Sequence, residues 1–166
     1  CEGDNVELTA IAGSGGIVTW YSDAGLTNVV GTGTTLNINP PVGITTYYVT
    51  ETLGTCEGPS SPVDIIVNPN PVAVAGADAT IFLGTSITLN GSGGSTYSWS
   101  PTTGLSCSDC SNPIATPLST TVYVLTVSDF HGCSNQDYVT ITVVEPETEL
   151  FIPNVFSPNG DDHNDF

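Results

Sequence analysis

Seven side chains in this sequence are thiols or imidazoles: Cys1, Cys56, Cys107, Cys110, Cys133, His131 and His163. Cys1 directly precedes one predicted strand and Cys56 directly follows another, positions that can meet at one end of a β-sandwich. A Cys1–Cys56 disulfide is therefore expected, as suits an oxidising, extracellular location. As a first residue, Cys1 is alternatively a site for lipid attachment. The segment "LSCSDCSNP" (105–113) brings Cys107 and Cys110 close in sequence. Zinc would want four ligands, and only Cys133 and His131 remain nearby. A redox CxxC opens a helix on a βαβ fold, and no such pattern follows. A small Cys107–Cys110 loop is preferred, with Cys133 left odd; the rival pairing joins Cys133 to one of the two.

His131 lies in "SDFHGCS" (128–134), a turn closing a hairpin, where glycine accepts positive φ freely. The Ser and Asp beside it belong to the same turn, whereas a catalytic triad assembles from separate elements around a cleft. The sequence therefore reads as a non-enzyme. His163 sits in the terminal "NGDDHND" with Asn159, Asp161, Asp162, Asn164 and Asp165. That density of hard oxygen ligands suits Ca²⁺, although the spacing is not that of an EF-hand. A solvated acidic turn is the competing reading.

Composition narrows the partners. The 166 residues include 17 carboxylates and neither Lys nor Arg, for a formal charge of −17. Nothing here neutralises phosphate, which excludes nucleic-acid binding and electrostatic attraction to anionic lipid. With no lysine the chain cannot form side-chain isopeptide links, and it offers trypsin-like proteases no cleavage site. Hydrophobic content of 39%, rich in Val and Ile, separates it from a disordered acidic tail. No apolar run approaches the roughly 20 residues that span a bilayer. The chain has no Met and opens on Cys1, and is expected to be a processed or partly observed piece of a longer secreted protein.

The elements that must position these residues repeat. "GSGG" precedes a Trp twice, and W-x4-G-L follows twice: Trp20, Gly25 and Leu26, then Trp99, Gly104 and Leu105. "TTYYVTE" (45–51) answers "TTVYVLTVSD" (120–129), and Cys56 answers Cys133. Within each copy apolar residues alternate, as in Val6, Leu8 and Ala10, in Ile87 and Leu89, or in Val139, Ile141 and Val143. Period 2 with Gly, Asn, Pro and Ser breaks predicts strands, spaced as in a sandwich. The fold class expected is all-β: two tandem immunoglobulin-like β-sandwich domains, 1–68 and 71–145, followed by an extended segment, 146–166. Trp20, Trp99, Tyr48 and Tyr123 are expected at the cores. Tyr21, Tyr47, Tyr97 and Tyr138 are candidates for exposure. The prolines of "VNPNPVAV" (67–74) form a short stiff linker. The first domain is expected to lack a first strand ahead of Cys1.

"CEGDNVELTA", "WYSDAGL", "TTYYVTET" and "CEGPSSPVDIIV" resemble the Ig-like repeats of secreted Bacteroidota surface proteins. "YSWSPTTGLSCSDCSNPIATPLSTTVYVLTVSDFHGCS" resembles the PKD/Ig-like repeats that accompany them. "LFIPNVFSPNGDDHND" is similar to the opening of the gliding-motility-associated C-terminal domain, a type IX secretion sorting module of type B. Asp162 stands where that family has a second glycine. The resemblance implies a cell-surface or extracellular adhesin or appendage built from stacked sandwiches.

Within "ELFIPNVFS" the apolar Phe151, Ile152, Val155 and Phe156 are costly to leave in water, at roughly 1.5–3 kcal/mol each. Strand addition to a neighbouring subunit would bury them and propagate head to tail as a filament. The expected function is thus a structural subunit or repeat segment of an extracellular filament or adhesin that self-associates. The alternative is a non-catalytic binding module, directed at carbohydrate or another surface, within a larger secreted protein.

Overall fold

The computed structural model describes residues 1–13 and 15–146. The terminal residues Phe151, Ile152, Val155, Phe156, Asn159, Asp161, Asp162, His163, Asn164 and Asp165 lie outside that range.

Among the described residues there is no helix. The first sandwich contains β1 (Val6–Thr9), β2 (Ile17–Tyr21), β3 (Val29–Thr32), β4 (Thr35–Ile38), β5 (Gly43–Leu53), β6 (Cys56–Glu57) and β7 (Ser61–Val67). Strands β1 and β4 form one antiparallel layer, with Leu8 opposite Leu36. The other layer runs β3-β2-β5, and β5 is long enough to pair with both β6 and β7. Val18, Trp20, Leu8, Leu36 and Tyr47 form the core between the layers. The Trp20 indole donates to the Gly33 carbonyl at 2.9 Å, so its polar end is satisfied where the ring is buried.

The second sandwich comprises β8 (Ala79–Phe82), β9 (Ile87–Thr88), β10 (Thr96–Ser100), β11 (Ile114–Ala115), β12 (Thr121–Ser128) and β13 (Ser134–Val144). Its larger layer runs β10-β12-β13-β8 and the smaller pairs β9 with β11. Trp99, Tyr123, Leu125, Val139 and Ile141 are fully buried there. The alternating residues read from sequence, including Ile87, Leu89 and Val143, line this core.

The aromatic assignment needs correction at Tyr47, Tyr48 and Tyr21. Tyr47, not Tyr48, is the core tyrosine of the first sandwich. Successive side chains on a strand face opposite ways, and Tyr47 opposite Val63 matches Tyr123 opposite Val139. Tyr48 points to the outer face and is half-buried. Tyr21 is buried too, donating to Glu57 at 2.9 Å.

The sandwiches differ at one edge. Strand β8 lies parallel to β13, pairing Ala79–Phe82 with Ile141–Val144. Among the described residues β7 pairs only with β5. By the tyrosine register, its end at Ile65–Val67 corresponds to the part of β13 that β8 covers, and Ile66 is 68% exposed.

Candidate functional site

One of the two disulfides and a set of side-chain hydrogen bonds lie at the junction between the sandwiches. Strand β7 delivers the chain to Asn68, Pro69, Asn70 and Pro71. Two prolines remove two N–H donors, so the remaining polar groups must find partners elsewhere. The N–H of Glu2 donates to the Asn68 carbonyl at 2.9 Å, and the Asn70 amide donates to the Glu2 carbonyl at 3.1 Å. The Asn135 amide, from β13, donates to the Pro71 carbonyl at 3.0 Å. Further along, the N–H of Ala75 donates to the Asp137 carboxylate at 2.8 Å. That bond is the main cause holding the Asp137 carboxyl below its ordinary range, with the Tyr138 N–H adding to it.

The turn joining β12 to β13 points back at the base of the first sandwich. Gly132 takes a φ of +83°, which an L side chain rarely adopts. The Asp129 carboxylate accepts from the N–H groups of His131 and Cys133, each at 2.9 Å. Desolvation pushes the Asp129 carboxyl upward, but these two bonds and the neighbouring imidazole outweigh it, so it lies below the usual value. The turn presents Cys133, which is 1% exposed, and Cys133 is disulfide-bonded to Cys1 with Cα atoms 5.4 Å apart. The link closes across a sequence separation of 132 residues and staples one sandwich to the other.

This overturns the Cys1–Cys56 pairing and the reading of Cys133 as odd. Cys56 is a free, exposed thiol. Cys1 lies at the junction, held there by the Glu2–Asn68 bond at the end of β7, whereas Cys56 follows the opposite end of β5. Seven residues of β7 at about 3.3 Å each put roughly 20 Å between those ends. Cys107 and Cys110 are joined to each other in a loop beside β10, where the Ser108 carbonyl accepts from the Trp99 N–H at 2.7 Å.

His131 is exposed, its Nδ1 3.4 Å from Asp129, and lies on the same turn as the residues it touches. Among the described residues no three His, Cys, Asp or Glu side chains are grouped as a metal site. A shallow hollow of about 380 Å³ near Pro101, Thr103, Thr116 and Leu118 is lined by hydroxyl and apolar groups. Sequence reasoning missed Glu2, Asn68, Asn70, Asn135 and Asp137. The available signal was the Asn-Pro run "NPNP", where the Asn70 amide bonds to the Glu2 carbonyl; Asn68 and Glu2 act through main-chain groups that residue type does not announce.

The layers and register define an immunoglobulin-like all-β sandwich fold. Residues 1–69 match the family described as "Ig-like domain CHU_C associated", a Bacteroidota-associated family. No curated protein matches the chain. Among solved structures, the fibronectin(III)-like modules of CbhA from Clostridium thermocellum are 14% identical, over 86% of this chain and 87% of that one, with a TM-score of 0.37. The insect immune protein hemolin is 14% identical over 86% of this chain and 44% of its own, TM-score 0.41. The first two Ig domains of DIP-gamma are 14% identical over 80% of this chain and 84% of theirs, TM-score 0.40. No helix among the described residues is long and apolar enough to cross a membrane.

Proposed function

We propose that this chain is a mechanical segment of an extracellular or cell-surface filament or adhesin, with no catalytic role of its own. The observation that carries this reading is the Cys1–Cys133 staple across the sandwich junction. A covalent bond between two independently cored units adds little to either core; what it adds is resistance to bending or separation at the linker. The lack of Lys and Arg suits the same role, because it denies trypsin-like proteases a cleavage site.

Assembly is proposed to proceed by strand addition. The N–H of Leu83 donates to the Val144 carbonyl as that of Glu2 donates to Asn68. Cys1 therefore occupies the place of Phe82, the last residue of β8, and the lane beside Ile65–Val67 is the counterpart of the one β8 fills. The segment carrying Phe151, Ile152, Val155 and Phe156 from another copy supplies the extended apolar strand. An edge that has no second strand among the described residues, with an exposed Ile66, is a template for such pairing. The same tail is proposed as the start of a sorting-type domain, with Asn159, Asp161, Asp162, Asn164 and Asp165 as a Ca²⁺ site.

Negative-stain electron microscopy of the purified chain tests the reading. Fibres of repeating sandwiches are expected, and deletion of residues 149–158 abolishes them. Polymers that persist after the deletion refute strand addition, and monodisperse particles under all salt conditions refute self-assembly.

A further inference from the structure

The turn after β5 and the turn after β12 hold the same position in their two sandwiches. Each leaves the strand that carries the core tyrosine, Tyr47 or Tyr123. Each passes through a glycine at positive φ, Gly54 at +62° or Gly132 at +83°. Each then presents a cysteine, three residues after an exposed large apolar side chain: Leu53 before Cys56, and Phe130 before Cys133. The second turn shows what this arrangement does, since Cys133 bonds to a cysteine at the base of the sandwich preceding it. Cys56 sits at the end of the first sandwich away from that junction, exposed, in a chain whose other four cysteines are all oxidised.

We infer that Cys56 is one half of a second staple, forming a disulfide with a cysteine at the base of a further Ig-like sandwich stacked on that end. Its partner has the placement of Cys1, a few residues ahead of the strand equivalent to β1. The second sandwich of another copy is not the partner, because Phe82 stands where Cys1 would be. The inference rests on the equivalence of the two turns and is independent of strand addition by the tail.

The chemistry is thiol–disulfide exchange. One thiolate attacks the disulfide of a protein or small-molecule oxidant and expels a thiolate, giving a mixed disulfide. The second thiolate attacks the protein sulfur of that intermediate and expels the other. Two protein thiols thus lose two protons and two electrons, and the oxidant leaves as two thiols.

The test uses the protein as its cells display it. Thiols are blocked with N-ethylmaleimide before any reductant is added, the material is cleaved at acidic residues, and the peptides are compared before and after reduction. The Cys56 peptide is expected without maleimide, released by reduction from a peptide whose cysteine precedes a strand as Cys1 precedes Val6–Thr9. If the partner is in the same polypeptide, reduction does not split the undigested chain and adds only the hydrogens taken up by its disulfides; if it is in a separate one, the mass falls to that of the parts. Either result supports the staple. In a Cys56→Ser chain that retains the Cys1–Cys133 bond, the link is lost entirely. Maleimide on Cys56, a small-molecule adduct there, or a link surviving in the Cys56→Ser chain overturns the inference.

Discussion

Asp137 lies on β13 yet fixes the linker, because its carboxylate takes the Ala75 N–H that no strand partner claims. Its carboxyl is depressed below the ordinary value of about 3.9. A depressed acid contributes stability above its unfolded pKa and loses it as pH falls through the folded one. Protonation also relieves repulsion within a chain of charge −17, which acts in the opposite direction. The informative quantity is therefore the difference between wild type and Asp137→Asn in urea unfolding. It is expected to be constant above about pH 5 and to shrink as pH drops below the usual aspartate range. A difference that does not vary with pH excludes the role assigned to this carboxylate.

Gly91 gives a second test at this scale. A Cβ there would lie 2.7 Å from the Ser111 carbonyl oxygen and 2.9 Å from the Trp99 ring. The Trp99 indole is itself tied to the Cys110 carbonyl at 3.0 Å, so the ring cannot retreat freely. Gly91→Ala is expected to cost about 1–3 kcal/mol, read as a lower thermal midpoint of the second sandwich. An unchanged midpoint means that the ring or the Ser111 loop yields cheaply.

At the scale of elements, the repeated "GSGG" has two different uses. In the first sandwich the N–H groups of Gly13 and Gly16 donate to the two oxygens of Glu51, at 3.0 and 2.9 Å, tying the β1–β2 loop to β5. In the second, Val74 bridges to Ser92, so the linker strand packs directly on the motif. Close backbone approach is the shared requirement, and glycine meets it in both places. Glu51→Ala leaves the Gly13 and Gly16 donors without that acceptor. It is expected to destabilise the first sandwich by roughly 1–3 kcal/mol, measured by denaturant unfolding, and to leave the second unaffected.

For the whole molecule, the disulfide decides how the two sandwiches move together. In a chain-entropy account, closing a loop of this length is worth roughly 5 kcal/mol, spent mostly against the unfolded chain. Each sandwich nevertheless has its own core, so breaking the bond frees the junction before it unfolds either one. Cys1→Ser is expected to broaden the small-angle scattering distance distribution, while the near-ultraviolet signals of Trp20 and Trp99 persist. A distribution identical to the wild type would show that the hydrogen bonds of Glu2, Asn68, Asn70 and Asn135 hold the junction without the disulfide.

What could be read without coordinates followed from local rules. Alternation of Val6 and Leu8, or of Val139 and Ile141, places one face inward on any strand, so the all-β class and most of both cores were legible. The Cys107–Cys110 loop was legible for the same reason, since its ends are three residues apart. Tyr47 against Tyr48 was not, because shifting a strand's phase by one residue exchanges its faces, and only the pairing with Val63 sets that phase. The partner of Cys1 was still further out of reach. Cys56 is nearer in the chain, but strand direction sends it to the far end of the sandwich, while the β12–β13 turn brings Cys133 back across the junction. Local alternation belongs to the sequence alone; which distant residues meet depends on where whole strands begin and end in space.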